Sequence, residues 1–104
     1  MANLQVISMS DWYLYMLRCR DGSLYTGITT EVDRRLAEHR HGGPAGSKYL
    51  KGRAPLELLL QKRIGDKRLA LRLVNRVKRL SKAEKEKMVT DPGYFEEFIK
   101  RTEL

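Results

Sequence analysis

The chain has 104 residues, 41% hydrophobic and 33% charged, with 21 lysines and arginines against 13 acidic residues. This length and balance exclude a fibrous, low-complexity or multidomain protein and fit one globular domain, residues 1–104, with room for a real core. A formal net charge of +8 favours an anionic partner, nucleic acid first, although composition alone is equally compatible with a protein that is merely basic.

Residues 1–11 read as an N-terminal extension without a clear period. They lack the basic start and apolar core of a secretion signal, and no stretch approaches the ~20 apolar residues of a membrane span. The expected location is cytoplasmic, with no membrane partner. Trp12 to Arg18 reads as a strand, with Tyr13, Tyr15 and Leu17 on one face and Trp12, Leu14 and Met16 on the other. Apolar residues on both faces predict a strand covered on both sides. Cys19 is the only cysteine, so no internal disulfide can form, and one cysteine with two histidines does not make a usual structural zinc site. Asp21-Gly22 then predicts a hairpin turn into a second strand, Leu24 to Ile28.

Thr30 is the expected N-cap of a helix from Glu31 to about His41, closed by Gly42-Gly43-Pro44. Val32 and Leu36 should face the sheet, and Arg35 and His39 form a neighbouring i, i+4 pair. Gly42 to Pro55 is a loop in which Lys48, Lys51 and Arg53 surround Tyr49. Basic groups beside an aromatic ring suit a phosphate backbone and an unstacked base. Read without that partner, the segment is a solvated loop with one packed tyrosine. Leu56 to Ile64 is a third strand, and Asp66 caps a helix whose apolar stripe is Leu69, Ala70, Leu73, Val74, Val77 and Leu80. Ser81 to Glu84 is a capping box opening a short helix, and Asp91-Pro92-Gly93 precedes a last amphipathic helix with Tyr94, Phe95, Phe98 and Ile99. The order β-β-α-β-α-α-α predicts an α+β fold on a small three-stranded antiparallel sheet, with its core at about 12–89 and a C-terminal helix over 90–104.

Tyr13-Leu14-Tyr15, then Tyr25-Thr26-Gly27, then Arg35 and His39, resemble the GIY-YIG nuclease superfamily. More closely, the chain is similar to its small stand-alone bacterial proteins of UPF0213 (YhbQ-like) type. Lys48-Tyr49-Leu50, Arg53-Ala54-Pro55, and Leu69 to Arg72 through Lys78 to Ser81 support the likeness, which covers roughly Trp12 to Val89. The resemblance implies phosphodiester cleavage with Mg²⁺ or another divalent metal. It makes Tyr15 and Tyr25 the residues that position and deprotonate water, Arg35 the phosphate contact, and His39 an aid to proton transfer or phosphate contact. These roles suit the residue types: guanidinium offers fixed donors to phosphate oxygens, and a phenol near a cation can act as a base. Lys48, Tyr49, Lys51 and Arg53 are the candidate nucleic-acid contacts. Gly27 is expected to allow close backbone approach of the helix to the strand.

One family residue differs. The metal-binding glutamate of the superfamily falls at Val74, and valine offers no oxygen to a divalent cation. Asn75 points about 100° away around the helix, and Glu57 is the nearest acid on the third strand. The expected function is nucleic-acid binding, DNA foremost, of endonuclease type, with metal-dependent phosphodiester hydrolysis implied by the resemblance. Two alternatives stay open: a non-catalytic DNA-binding module, and an adaptor whose apolar C-terminal helix packs on a protein partner.

Overall fold

Strand β1 (Trp12–Arg18) lies in the middle of a three-stranded antiparallel sheet, between β2 (Leu24–Thr29) and β3 (Glu57–Gly65). The computed structural model describes residues 11–104, so the expected extension, apart from Asp11, lies outside the described residues. The central position explains why β1 is apolar on both faces: each face has its own core. Leu14 and Met16 pack with Leu73, Val77, Met88, Phe95 and Ile99, while Tyr15 and Leu17 pack with Val32, Leu36, Leu50 and Leu56. Burying side chains of this size contributes roughly 1.5–3 kcal/mol each. The hairpin closes as the Asp-Gly pair predicts. Gly22 adopts φ 85°, its N–H donates to the Cys19 carbonyl, and the Asp21 carboxylate accepts from the Ser23 N–H.

Helix α1 (Val32–His41) covers the Tyr15 face and ends on Gly42 at φ 75°. The expected cap at Thr30 is corrected. Glu31 occupies the N-cap without a side-chain bond, and the Thr29 hydroxyl accepts from the Glu31 N–H at 3.1 Å instead. Thr29 belongs to β2, which runs one residue further than expected, so the strand's last side chain tightens the turn into the helix.

Helices α2 (Lys67–Lys78), α3 (Lys82–Thr90) and α4 (Pro92–Glu103) lie on the opposite, Leu14 face. Asp66 caps α2 by accepting from the Leu69 N–H, and the Ser81–Glu84 capping box is present in both directions. Arg18 donates two hydrogen bonds of 2.7 Å to Glu86, joining the end of β1 to α3. Phe95 and Ile99 of α4 lie in the core with Leu14, so these residues of the apolar face that the adaptor alternative would use are covered from within. No helix among the described residues is long and apolar enough to cross a membrane.

Candidate nucleic-acid interface

On the α1 face of the sheet, Tyr15 lies across from Gly27 in the β1–β2 pairing. A Cβ at position 27 would sit 2.5 Å from Tyr15 Oη and 2.6 Å from its Cζ. The residue that needs the glycine is therefore a cross-strand tyrosine ring, which corrects the expectation that a helix approaches there. Tyr25, two residues earlier on β2, projects to the same face, with its ring centroid 6.3 Å from that of Tyr15.

His39 enters between the two tyrosines from α1. Its ring meets Tyr25 edge-on at 5.6 Å, and its Nε2 is 2.8 Å from Tyr15 Oη. The Ser47 backbone N–H donates to His39 Nδ1 at 3.2 Å. That bond assigns the proton of the neutral ring to Nε2, which donates to Tyr15 Oη and leaves the tyrosine O–H to donate elsewhere. Burial holds the His39 pKa below its ordinary value, helped by the charge of Arg35 and opposed by Glu38. Burial likewise pushes the Tyr15 phenol up to about 12; Tyr25 adds to the rise, while Arg35 opposes it. The expectation that a nearby cation would lower this phenol is thus reversed: desolvation outweighs Arg35, and Tyr15 is a neutral donor near pH 7.

Arg35, one turn before His39, donates to Glu38 at 3.0 Å and to the Ala45 carbonyl at 2.5 Å. Burial works against its charge, but the Glu38 hydrogen bond and the nearby Tyr15 raise its pKa, so it stays cationic. Through Ala45 and Ser47, Arg35 and His39 hold the loop after α1 against the helix. The end of α1 and this loop enclose a cavity of about 330 Å³ whose lining includes His39, Ser47, Lys48 and Lys51 but not Arg35, Tyr15 or Tyr25.

The four loop candidates face three adjoining concavities, with Lys51 shared by two of them. Lys48 and Lys51 line the His39 cavity. Tyr49 stacks on Tyr25 with centroids 5.7 Å apart and planes at 29°. Arg53 lies over the Tyr49 ring at 4.3 Å, donates to the Tyr49 carbonyl and pairs with Asp21 of the hairpin. Ser47, Glu38 and the Ala45 carbonyl had no sequence signal, because each acts through the folded path of the loop.

A divalent metal does not fit these residues. Val74 is buried at 6% exposure, with no oxygen to offer. Glu57 pairs across the sheet with Arg18, which bonds Glu86 on the α3 side, so Glu57 lies on the face opposite Tyr15. Glu38 is paired with Arg35. Among the described residues, no three of His, Cys, Asp and Glu come together as a ready-made metal cage.

The chain matches the family described as the GIY-YIG catalytic domain over residues 11–87. It is 45% identical over 91 residues to the UPF0213 protein YhbQ of Salmonella typhimurium, covering 88% of this chain and 89% of that one. A UPF0213 protein of Serratia liquefaciens is 52% identical over 85 residues, covering 82% of this chain and 81% of the relative. The solution NMR structure of a UPF0213 protein from Bacillus halodurans superposes with a TM-score of 0.51 at 44% identity, over 77% of this chain and 83% of that one.

Proposed function

Given that the chain belongs to the GIY-YIG domain family, among its UPF0213 proteins, we propose that it binds nucleic acid, DNA foremost, without metal-dependent cleavage. The family is one of endonucleases, and the site supports its phosphate-binding half. Arg35, Lys48 and Lys51 supply positive charge for the phosphodiester backbone, and the neutral Tyr15 O–H, set by His39, donates to a phosphate oxygen. The observation that carries the reading is the buried Val74, with no oxygen, at the position where the family resemblance puts a glutamate, while Tyr15, Tyr25 and His39 come together on the α1 face. The chain acts as one binding domain, residues 1–104, in the cytoplasm.

A second reading, an active endonuclease, keeps the roles that the family resemblance gives Tyr15 and His39, whose side chains are hydrogen-bonded at 2.8 Å. One experiment separates the two: DNA binding at low salt, with plasmid nicking in Mg²⁺ and Mn²⁺ on the same preparation. Binding without nicking is the expected result. Nicking that disappears in Tyr15→Phe would establish the second reading, and no binding at low salt would reject both.

A further inference from the structure

Around the edge of β2 from the His39 cavity lies a second cleft, of about 370 Å³. Its walls are Tyr25 and Thr26 of β2, Ser47 and Tyr49 of the loop, Lys78 at the end of α2 and Lys85 in α3. Tyr25 lines this cleft and not the His39 cavity. Tyr49, stacked on it, is 44% exposed. No carboxylate lines the cleft, and among the described residues neither Lys78 nor Lys85 takes part in an ion pair.

We infer that this cleft takes one unpaired nucleotide, its base against the Tyr49–Tyr25 pair and its phosphate between Lys78 and Lys85, so that the protein prefers single-stranded to duplex DNA. The inference rests on the nucleic-acid reading above and extends it to the form of the substrate. Three features support it. First, the two lysines come from different helices joined by the turn into Ser81, and the capping box at Ser81 fixes where Lys85 falls. Two cations held across a gap suit a phosphate better than a neutral ligand. Second, the remaining wall is aromatic, and every base presents a face to such a wall regardless of sequence. Third, the feature is concave and at the small end of ligand sites, which run from about 300 to 1,000 Å³. Duplex DNA is read by elements that protrude into a groove, whereas a hollow of this size admits only a nucleotide out of the stack. The cleft adjoins the His39 cavity through Ser47, which lines both, so one strand can run from Lys48 to Lys78 past Tyr25 and Tyr49.

The test uses fluorescence anisotropy with the full chain and two labelled probes at one salt concentration: a single strand and its blunt duplex. The wild type should bind the single strand roughly tenfold more tightly, the size of one base–aromatic stack. Lys78→Ala with Lys85→Ala should bring the ratio of the two affinities close to one. Arg68→Ala with Arg72→Ala, removing the same charge from the outer face of α2, should weaken both probes alike and keep the ratio. Lys85→Arg should also keep it, and thermal melts would show that all variants are folded. Equal binding of both probes by the wild type would overturn the cleft while leaving nucleic-acid binding intact. So would a single-strand preference that survives the double alanine variant. Binding to neither probe would overturn this inference and the functional reading together.

Discussion

His39 Nε2 and Tyr15 Oη lie 2.8 Å apart, joining two residues 24 apart in sequence. The bond couples the position of α1 to the centre of the sheet, and the neutral imidazole also lets Nδ1 accept from the Ser47 N–H, a bond that protonation would break. Burial, with the charge of Arg35, holds the His39 pKa below its ordinary 6.5. The unfolded chain therefore binds the extra proton first as pH falls. Stability from this group is fully present above about pH 6.5 and is lost as pH drops through the folded value. The paired carboxylates Asp21, Glu84 and Glu86 have lowered values and lose their contribution only at more acidic pH. Between about pH 7.5 and 5.5 the wild type should therefore lose more thermal stability than His39→Gln. Parallel melting curves would refute the coupling.

Tyr15 gives the opposite window. Its folded pKa is raised above the ordinary 10.0 to about 12, chiefly by burial. Its stabilising effect is complete below pH 10 and is lost as pH rises through the folded value. Ultraviolet titration should show one tyrosine ionising last, and Tyr15→Phe should delete that late step. If the late step persists in Tyr15→Phe, another phenol is the desolvated one.

Gly27→Ala tests the packing beneath this bond. The new methyl would fall 2.5 Å from Tyr15 Oη, with the ring held between β2 and His39. Overpacking of this kind costs about 1–3 kcal/mol, read as a lower denaturant midpoint. The ring should also leave His39, raising the imidazole pKa seen by NMR. An alanine variant as stable as the wild type would mean that Tyr15 moves aside at no cost.

Much of this arrangement is legible locally. Asp21-Gly22, the Asp66 cap, the Ser81–Glu84 box and the Arg35–His39 spacing each act within a few residues, and each forms as its pattern predicts. The apolar residues on both faces of β1 likewise point to a covered central strand. What the pattern misses depends on distant partners. Thr29 and Thr30 are equivalent to a local reading, and the end of β2 chooses between them. Arg53 looks like a phosphate ligand until the hairpin brings Asp21 to it from 32 residues away. Lys78 and Lys85 look like solvated helix charges until α2 and α3 place them beside Tyr25.

Salt titration separates the roles of the basic side chains. Each phosphate contact contributes about 0.9 to the slope of log affinity against log salt. Lys48→Ala should reduce that slope by roughly 1 and change little else. Arg35→Ala should lower it similarly and also destabilise the chain, because Arg35 holds the Ala45 carbonyl and pairs with Glu38. A flat salt dependence in the wild type would contradict phosphate binding by any of them.

Val74→Glu decides whether the loss of one side chain separates this protein from the nucleases of its family. Val74 is 6% exposed and sits in the apolar stripe of α2 with Ala70, Leu73 and Val77. Glutamate is a good helix former, so the backbone should accept it. Its carboxylate, however, would enter a desolvated position and be costly unless neutralised or paired. In buffer with a chelator the variant should therefore melt below the wild type. Where Val74 marks the family's carboxylate, Mg²⁺ should raise the variant's melting temperature in a concentration-dependent way, by linkage, and leave the wild type unchanged. Nicking of plasmid DNA should appear with the same Mg²⁺ dependence, and adding Tyr15→Phe should remove the nicking while leaving the Mg²⁺ shift in melting. A variant that is destabilised but indifferent to Mg²⁺ would show that position 74 does not face the tyrosines. Wild-type protein that already nicks DNA in Mg²⁺, at a rate that Val74→Glu leaves unchanged, would show that a carboxylate elsewhere than position 74 holds the metal.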